Sequence, residues 1–312
     1  MADVGRGRTG RPNGIAKARR GGHGHVEPHL TMLDPAPSFA RNASDFPMAD
    51  PWKPIRHVRV GDQFVAVIDR QGLVSAAHED AATADEQGRV RTRLVFDSNG
   101  QGIAMAKTDP VFRKSFAEAD LVHADGQFIV AVSHRYCEQP IPERAPTTDM
   151  IHDFAKACEA SGRSFYLLGA REHTNAGAAA KLKELYPKLN IIGRHHGFFQ
   201  GREEEILADI DRCAPDFLWV GLGKPLEQEF CAQYKHRLNA VWTITCGGCF
   251  NFVTGEYQRA PLWMQDAGIE WMHRMMTQPR HLALRYIKTN PRAFAVALTQ
   301  SGRQTKTMRF AD

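Results

Sequence analysis

From residue 148 onward, short apolar runs alternate with amphipathic stretches of helical length. Residues 148–161 carry Ile151, Phe154, Ala155 and Cys158 at helical spacing and stop at Gly162. Residues 164–168 (SFYLL) then predict a buried strand closing on Gly169. The same alternation predicts helices over 175–186, 203–213 and 226–238, and strands over 189–193, 217–221 (FLWVG) and 241–245 (VWTIT). Continuous apolar strands between helices are the mark of a parallel sheet buried on both faces. The expected fold class is α/β: a Rossmann-like parallel sheet covered by helices on both faces, with a C-terminal helical appendage. In such sheets ligands bind beyond the carboxyl ends of the strands.

The N-terminal half is less regular. Residues 57–69 alternate apolar and polar positions around Gly61-Asp62, which predicts a β-hairpin. Residues 76–89 read as helix or loop, 90–96 as a strand, 100–107 and 112–119 as helices, and 121–122 as a short strand entering Ala124-Asp125-Gly126. Residues 1–52 lack apolar periodicity and predict a disordered basic tail. The α/β domain is expected over 53–275 and a basic helical appendage with its tail over 276–312. In that last region helices are expected over 270–276 and 282–288, parted by Gln278-Pro279-Arg280. Arg274, Arg280, Arg285 and Arg292 fall among Trp263, Trp271, Met272, Met275 and Met276. Two readings are open there: a surface for lipid head groups or phosphates, or a helical pair with its basic face in water.

Charge changes this picture little. Of the formal net charge of +5, residues 1–25 supply six basic side chains against one acidic residue, Asp3, so the body is near neutral and no nucleic-acid surface is implied. No run reaches the roughly 18–20 apolar residues of a membrane span, and the basic N-terminus lacks the apolar stretch of a secretory signal. The expected location is cytoplasmic. Six cysteines in 312 residues form no dense disulfide framework, which suits a reducing compartment.

Several residues could carry chemistry. Asp125 sits where a strand enters a loop, a useful place for a general base, although Asp-Gly is also ordinary turn chemistry. Gly169 and the run Gly221-Leu-Gly-Lys-Pro-Leu-Glu-Gln228 lie at strand-to-helix junctions, where backbone amides can approach a phosphate, or where glycines merely turn the chain. No dinucleotide or Walker fingerprint appears. Cys246-Gly-Gly-Cys249 has the spacing of redox and metal sites but no second pair, so Gly247-Gly248 reads as the functional part and the cysteines as small buried residues. His195 and His196 are adjacent in a strand, point to opposite faces and make poor co-ligands.

The block Asp120-Leu-Val-His-Ala-Asp125-Gly126 resembles one of the WecG/TagA/CpsF glycosyltransferases. The resemblance continues in order through Ile141–Arg144, Phe165–Gly169, His196–Phe199, Val220–Gly223 with Pro225 and Gln228, Gly247-Gly248, Arg259-Ala-Pro261, Glu270-Trp271 and Pro279-Arg280. It implies an inverting, metal-independent transfer, without cofactor, from a UDP-sugar to a polyprenyl-diphosphate-linked sugar acceptor at the cytoplasmic membrane surface. A homo-oligomer is compatible with it. It implies Asp125 as general base, with Asn99 and Asp97 beside the active site. The nucleotide-sugar pocket would comprise Gly169, Gly221, Gly223, Pro225, Glu227, Gln228, Gly247 and Gly248, and the lipid-diphosphate contacts Arg280, Arg285 and Arg292.

The chain also departs from the family pattern. Asp97 stands where the family usually has Thr, Gln101 where it has Glu, and the family's P-K-Q-E run reads Pro225-Leu-Glu-Gln228. These departures put the donor sugar outside what the resemblance fixes. They also keep a rival open, a non-catalytic nucleotide-sugar-binding protein on the same fold.

Overall fold

The computed structural model describes residues 54–88, 91–277, 279–302 and 305–308, without the side chains of 266, 279–288 and 305–308. The tail expected over 1–52 lies outside the described residues. The strands are β1 (Ile55–Val60), β2 (Gln63–Ala66), β3 (Arg93–Ser98), β4 (Leu121–Ala124), β5 (Ser164–Gly169), β6 (Asn190–His195), β7 (Phe217–Gly221), β8 (Trp242–Thr245) and β9 (Thr305–Met308). The helices are α1 (Arg70–Gln87), α2 (Gly100–Thr108), α3 (Pro110–Ala117), α4 (Gln127–Tyr136), α5 (Thr147–Ser161), α6 (Glu172–Leu185), α7 (Glu203–Cys213), α8 (Leu226–Gln233), α9 (Cys249–Val253), α10 (Leu262–Asp266), α11 (Glu270–Thr277) and α12 (Pro279–Gln300).

Six strands form a parallel sheet in the order β4-β3-β8-β7-β5-β6. The apolar runs supply both of its faces by alternation. Leu94, Phe96, Tyr166, Leu168, Leu218 and Val220 enter one core, and Val95, Phe165, Leu167, Phe217, Trp219 and Ile244 enter the other. The α/β Rossmann-like architecture is therefore present. The chain leaves β3 for β4 at one edge and builds the rest of the sheet on the other side, so the strand order reverses between β3 and its neighbour β8. A crevice opens at such a switch point.

The hairpin expected around Gly61-Asp62 is present as β1 and β2, with Val60 paired to Gln63. β9 adds to the other side of β1, antiparallel. α12 is longer than the sequence pattern suggests and runs through Pro291. An internal proline costs about 3 kcal/mol in a helix, but Ala293, Val296 and Ala297 are buried in the same core as α2 residues Ile103 and Ala104. Packing overrides local preference here. Helix starts are set by side chains: Asp69 caps α1, Asn99 caps α2, and Asp109 caps α3 ahead of Pro110.

One buried ion pair ties α1 to the sheet. Asp80 Oδ2 accepts from the Arg93 guanidinium at 2.7 Å and from Trp242 Nε1 at 2.6 Å, and all three side chains are buried. Asp80→Ala removes the carboxylate to which both Arg93 and Trp242 donate, so we expect a loss of about 3–5 kcal/mol in urea unfolding.

Candidate functional site

A cleft of about 680 Å³ opens at the carboxyl ends of β3, β4, β7 and β8, and α10, α11 and α12 contribute its far wall. The strands fix its floor. Asp97 is the fifth residue of β3, buried, and Asn99 follows as the cap of α2. Asp125 leaves β4 with its amide bonded to the Ser98 carbonyl at 2.9 Å. The β3–β4 register pairs Asp97 with His123, which leaves Asp125 two positions further along the neighbouring strand end.

Asn99 joins the two acidic residues. Its Nδ2 donates to Asp97 Oδ2 at 2.9 Å and to Asp125 Oδ2 at 3.2 Å, while its Oδ1 accepts from the Gly102 amide at 3.1 Å. With the amide turned this way, Asn99 cannot rotate without losing the helix cap. The asparagine orients the Asp125 carboxylate.

A buried ammonium completes the group. Lys224, on the loop after β7, donates to Asp97 Oδ2 and lies 4.0 Å from Glu227 Oε1. Glu227 Oε2 in turn accepts from the amides of Gly223 at 3.0 Å and Gly247 at 2.9 Å, and Gln228 Nε2 donates to Oε1 at 3.2 Å. Burial lifts the Asp97 carboxyl to about 7; Lys224 opposes the rise, and Asp125 and Glu227 add to it. Burial also raises Glu227, against the pull of Lys224 and the two amides. For Lys224 burial works downward, but the Asp97 and Glu227 carboxylates prevail and hold it above the ordinary lysine value.

Of the residues singled out in the sequence, Asp97, Asn99, Asp125, Gly223, Glu227, Gly247 and Gly248 all line the cleft. Gly169 and Gly221 lie outside its lining and serve close packing. A Cβ on Gly169, at φ +135°, would stand 2.2 Å from the Gly221 carbonyl oxygen, and one on Gly221 would stand 2.8 Å from that of Gly247. Pro225 precedes α8, and Gln228 is buried against Glu227. Arg292 is exposed on α12, whose Asn290, Ala293 and Phe294 line the cleft; the Arg280 and Arg285 side chains lie outside the described residues.

Lys224 and Arg144 also line the cleft without having been singled out, and Arg274, read only as one of the basic residues of the C-terminal region, joins them. Lys224 was visible only as a lysine inside a glycine-proline loop. Arg144 and Arg274 stand within or beside motif blocks but carry no spacing signal of their own. Arg144 donates to Glu270 Oε2 at 2.9 Å and Gln265 Oε1 at 2.7 Å, and the Arg274 guanidinium lies 5.4 Å from the Phe252 ring centroid. The floor is acidic, and Arg144, ahead of α5, and Arg274, on α11, bring cations to the wall.

Cys246 and Cys249 are both buried, and burial pushes the Cys246 thiol well above its ordinary value, which makes it a poor nucleophile. Among the described residues no group of three or more His, Cys, Asp or Glu is placed to hold a metal ion. Nor is any described helix long and apolar enough to cross a membrane.

The profile of the glycosyl transferase WecG/TagA/CpsF family matches residues 60–307. N-acetylglucosaminyldiphosphoundecaprenol N-acetyl-beta-D-mannosaminyltransferases of Staphylococcus aureus strains MRSA252 and NCTC 8325 / PS 47 are each 25% identical to the chain over 183 residues, covering 59% of it and 71% of their own length. A nicotinate phosphoribosyltransferase from Vibrio cholerae overlaps 64% of the chain and 50% of its own at 11% identity, with a TM-score of 0.22 that carries no argument.

Beneath Asp125, His123 on β4 is fully buried, and neither ring nitrogen makes a hydrogen bond of normal geometry. Burial holds its imidazole down at about 4, against the pull of Asp125 and with the help of Lys224. Unfolding restores a value near 6.5, so the stability His123 contributes is present above that pH and lost as pH falls through 4. Asp97 has the opposite sign: its contribution is present below 3.8 and lost as pH rises through 7. The two oppose each other between pH 4 and 6.5. His123→Leu removes one arm. Measured against the wild type by urea unfolding, it should gain about 2 kcal/mol on going from about pH 7.5 to about pH 5. An unchanged difference would show that His123 titrates normally in the fold.

Proposed function

The chain belongs to the WecG/TagA/CpsF glycosyltransferase family and is a glycosyltransferase, and from that premise we propose that it transfers a sugar from a UDP-sugar, with inversion, to a polyprenyl-diphosphate-linked sugar acceptor. The place of Asp125 carries this reading. It lies at the floor of the cleft, beyond the carboxyl end of β4, with one oxygen held by Asn99. The names of the staphylococcal relatives, which act on an N-acetylglucosaminyl-diphosphoundecaprenol, support an acceptor of that lipid-linked type.

In this mechanism the acceptor hydroxyl gives its proton to Asp125 as its oxygen attacks the anomeric carbon from the face opposite UDP. The bond from that carbon to the diphosphate oxygen breaks, and UDP leaves with the electron pair. Arg144 and Arg274 on the cleft wall supply positive charge for the departing diphosphate, the task a divalent cation performs in metal-dependent transferases. The amides of Gly223 and Gly247 are committed to Glu227, so they hold the loop rather than the phosphate.

The lipid end of the acceptor fits the opposite side. Leu262, Trp263, Met272 and Met276 are exposed on α10 and α11, with Phe294 and Leu298 exposed on α12. Such a set suits contact with a membrane surface, and Arg280, Arg285 and Arg292 on α12 are the proposed contacts of the lipid diphosphate. Oligomerisation at that surface is compatible with this placement.

Asp125→Asn keeps the size of the side chain and removes the base. Turnover with a UDP-sugar and a polyprenyl-diphosphate acceptor should fall by about 10²–10⁴, read as UDP release. Full activity in that variant would sink the assignment. Turnover should also survive EDTA, whereas loss restored by added metal would replace Arg144 and Arg274 with a cation.

A further inference from the structure

The departures from the family pattern at positions 97 and 227 are not scattered in space. Lys224 donates to Asp97 and lies 4.0 Å from Glu227, and all three side chains line the cleft. Asp97 stands where the family pattern has Thr, and the carboxylate of the P-K-Q-E run lies one residue earlier, at Glu227 ahead of Gln228, so two carboxylates flank the ammonium. A buried ammonium needs such partners, so the changes form one unit. That unit lies beside Asp125, reached through Asn99, at the end of the cleft where the proposed base must meet the reacting sugar.

The charge of this floor is readable. Three carboxylates, Asp97, Asp125 and Glu227, face one ammonium, Lys224. Among the described residues Lys224 makes one hydrogen bond within 3.5 Å, to Asp97, and an ammonium has three N–H groups to offer. Asp97 Oδ1, among the described residues, accepts from Thr245 Oγ1 alone, at 3.4 Å. Acceptors and donors side by side suit sugar hydroxyls, which donate and accept at once. A sugar carboxylate would meet the Asp125 carboxylate beside a Lys224 charge already shared between Asp97 and Glu227.

Resting on the UDP-sugar reading above, we propose that Asp97, Lys224 and Glu227 read the transferred sugar and select an uncharged, hydroxyl-bearing hexosyl donor against a hexuronosyl one. The selection acts by repulsion as much as by attraction, since two like charges at close range cost more than one lost hydrogen bond.

The test uses matched donors that differ only at C6. Binding of UDP, UDP-glucose, UDP-glucuronate, UDP-galactose and UDP-galacturonate to the full chain would be measured by isothermal titration. In at least one matched pair the uncharged member should bind about tenfold or more tighter than its uronate. Equal or tighter binding of both uronates overturns the proposal and leaves the donor reading standing. Failure of UDP and of all four UDP-sugars to bind overturns that reading itself. In Asp97→Asn/Glu227→Gln, which preserves side-chain size and frees Lys224, the ratio should contract by about tenfold or reverse. A ratio unchanged in a folded double variant overturns the assignment to these residues. If that variant does not fold, the matched pairs on the wild type still decide.

Discussion

Removing one ammonium from water is the constraint around which the catalytic end of this protein is arranged. An unpaired buried charge costs several kcal/mol, so Lys224 must be answered, and Asp97 answers it from the end of β3 while Glu227 does so from α8. Glu227 in turn draws in the amides of Gly223 and Gly247, which fixes the loops after β7 and β8. Asp97 accepts from Asn99, and Asn99 reaches Asp125. The orientation of the proposed base is thus the last link in a chain that begins with a lysine. A neutral residue at 224 would leave Asp97 and Glu227 to repel one another inside the fold.

That network can close only because the backbones beneath it come unusually near. Gly169 backs on Gly221 and Gly221 on Gly247, and a side chain on either of the first two would strike the next carbonyl. Their role is steric, and it lets three strand ends converge on a narrow floor. Above them α12 crosses α2 and β9 returns to β1, so the C-terminal segment packs on the first elements of the chain. The cleft is consequently walled by parts of the sequence far apart in order, from Asn99 to Phe294.

This explains what could be read from the sequence and what could not. The strands of the second half were legible because a sheet buried on both faces needs uninterrupted apolar runs, and SFYLL, FLWVG and VWTIT leave little choice. Asp125 was legible as a candidate, but an Asp-Gly pair alone does not separate a base from a turn. Its link to Asn99 is long-range and has no trace in spacing. Lys224 was illegible for the same reason: a lysine between glycine and proline looks solvated until its two carboxylates are found, one of them 127 positions away. His123 reads as a polar position in a strand, yet helices on both faces bury it. β9 and the far half of α12 were missed because tertiary pairing forms them and local pattern does not. The close backbone approach at Gly169 and Gly221 is likewise a tertiary property that local spacing does not show.

The acidic floor also joins two requirements that are usually separate. An inverting transfer of this kind needs a carboxylate ready to take a proton, and packing more carboxylates beside it threatens to protonate the group that must stay ionised. Here the strain falls on Asp97, lifted to about 7 by burial, while Lys224 offsets charge and Asn99 donates to Asp125. These groups line the end of the cleft proposed to hold the sugar. A site built this way cannot change its base without changing what it admits. The proposed base and the proposed donor selection thus draw on one set of charges.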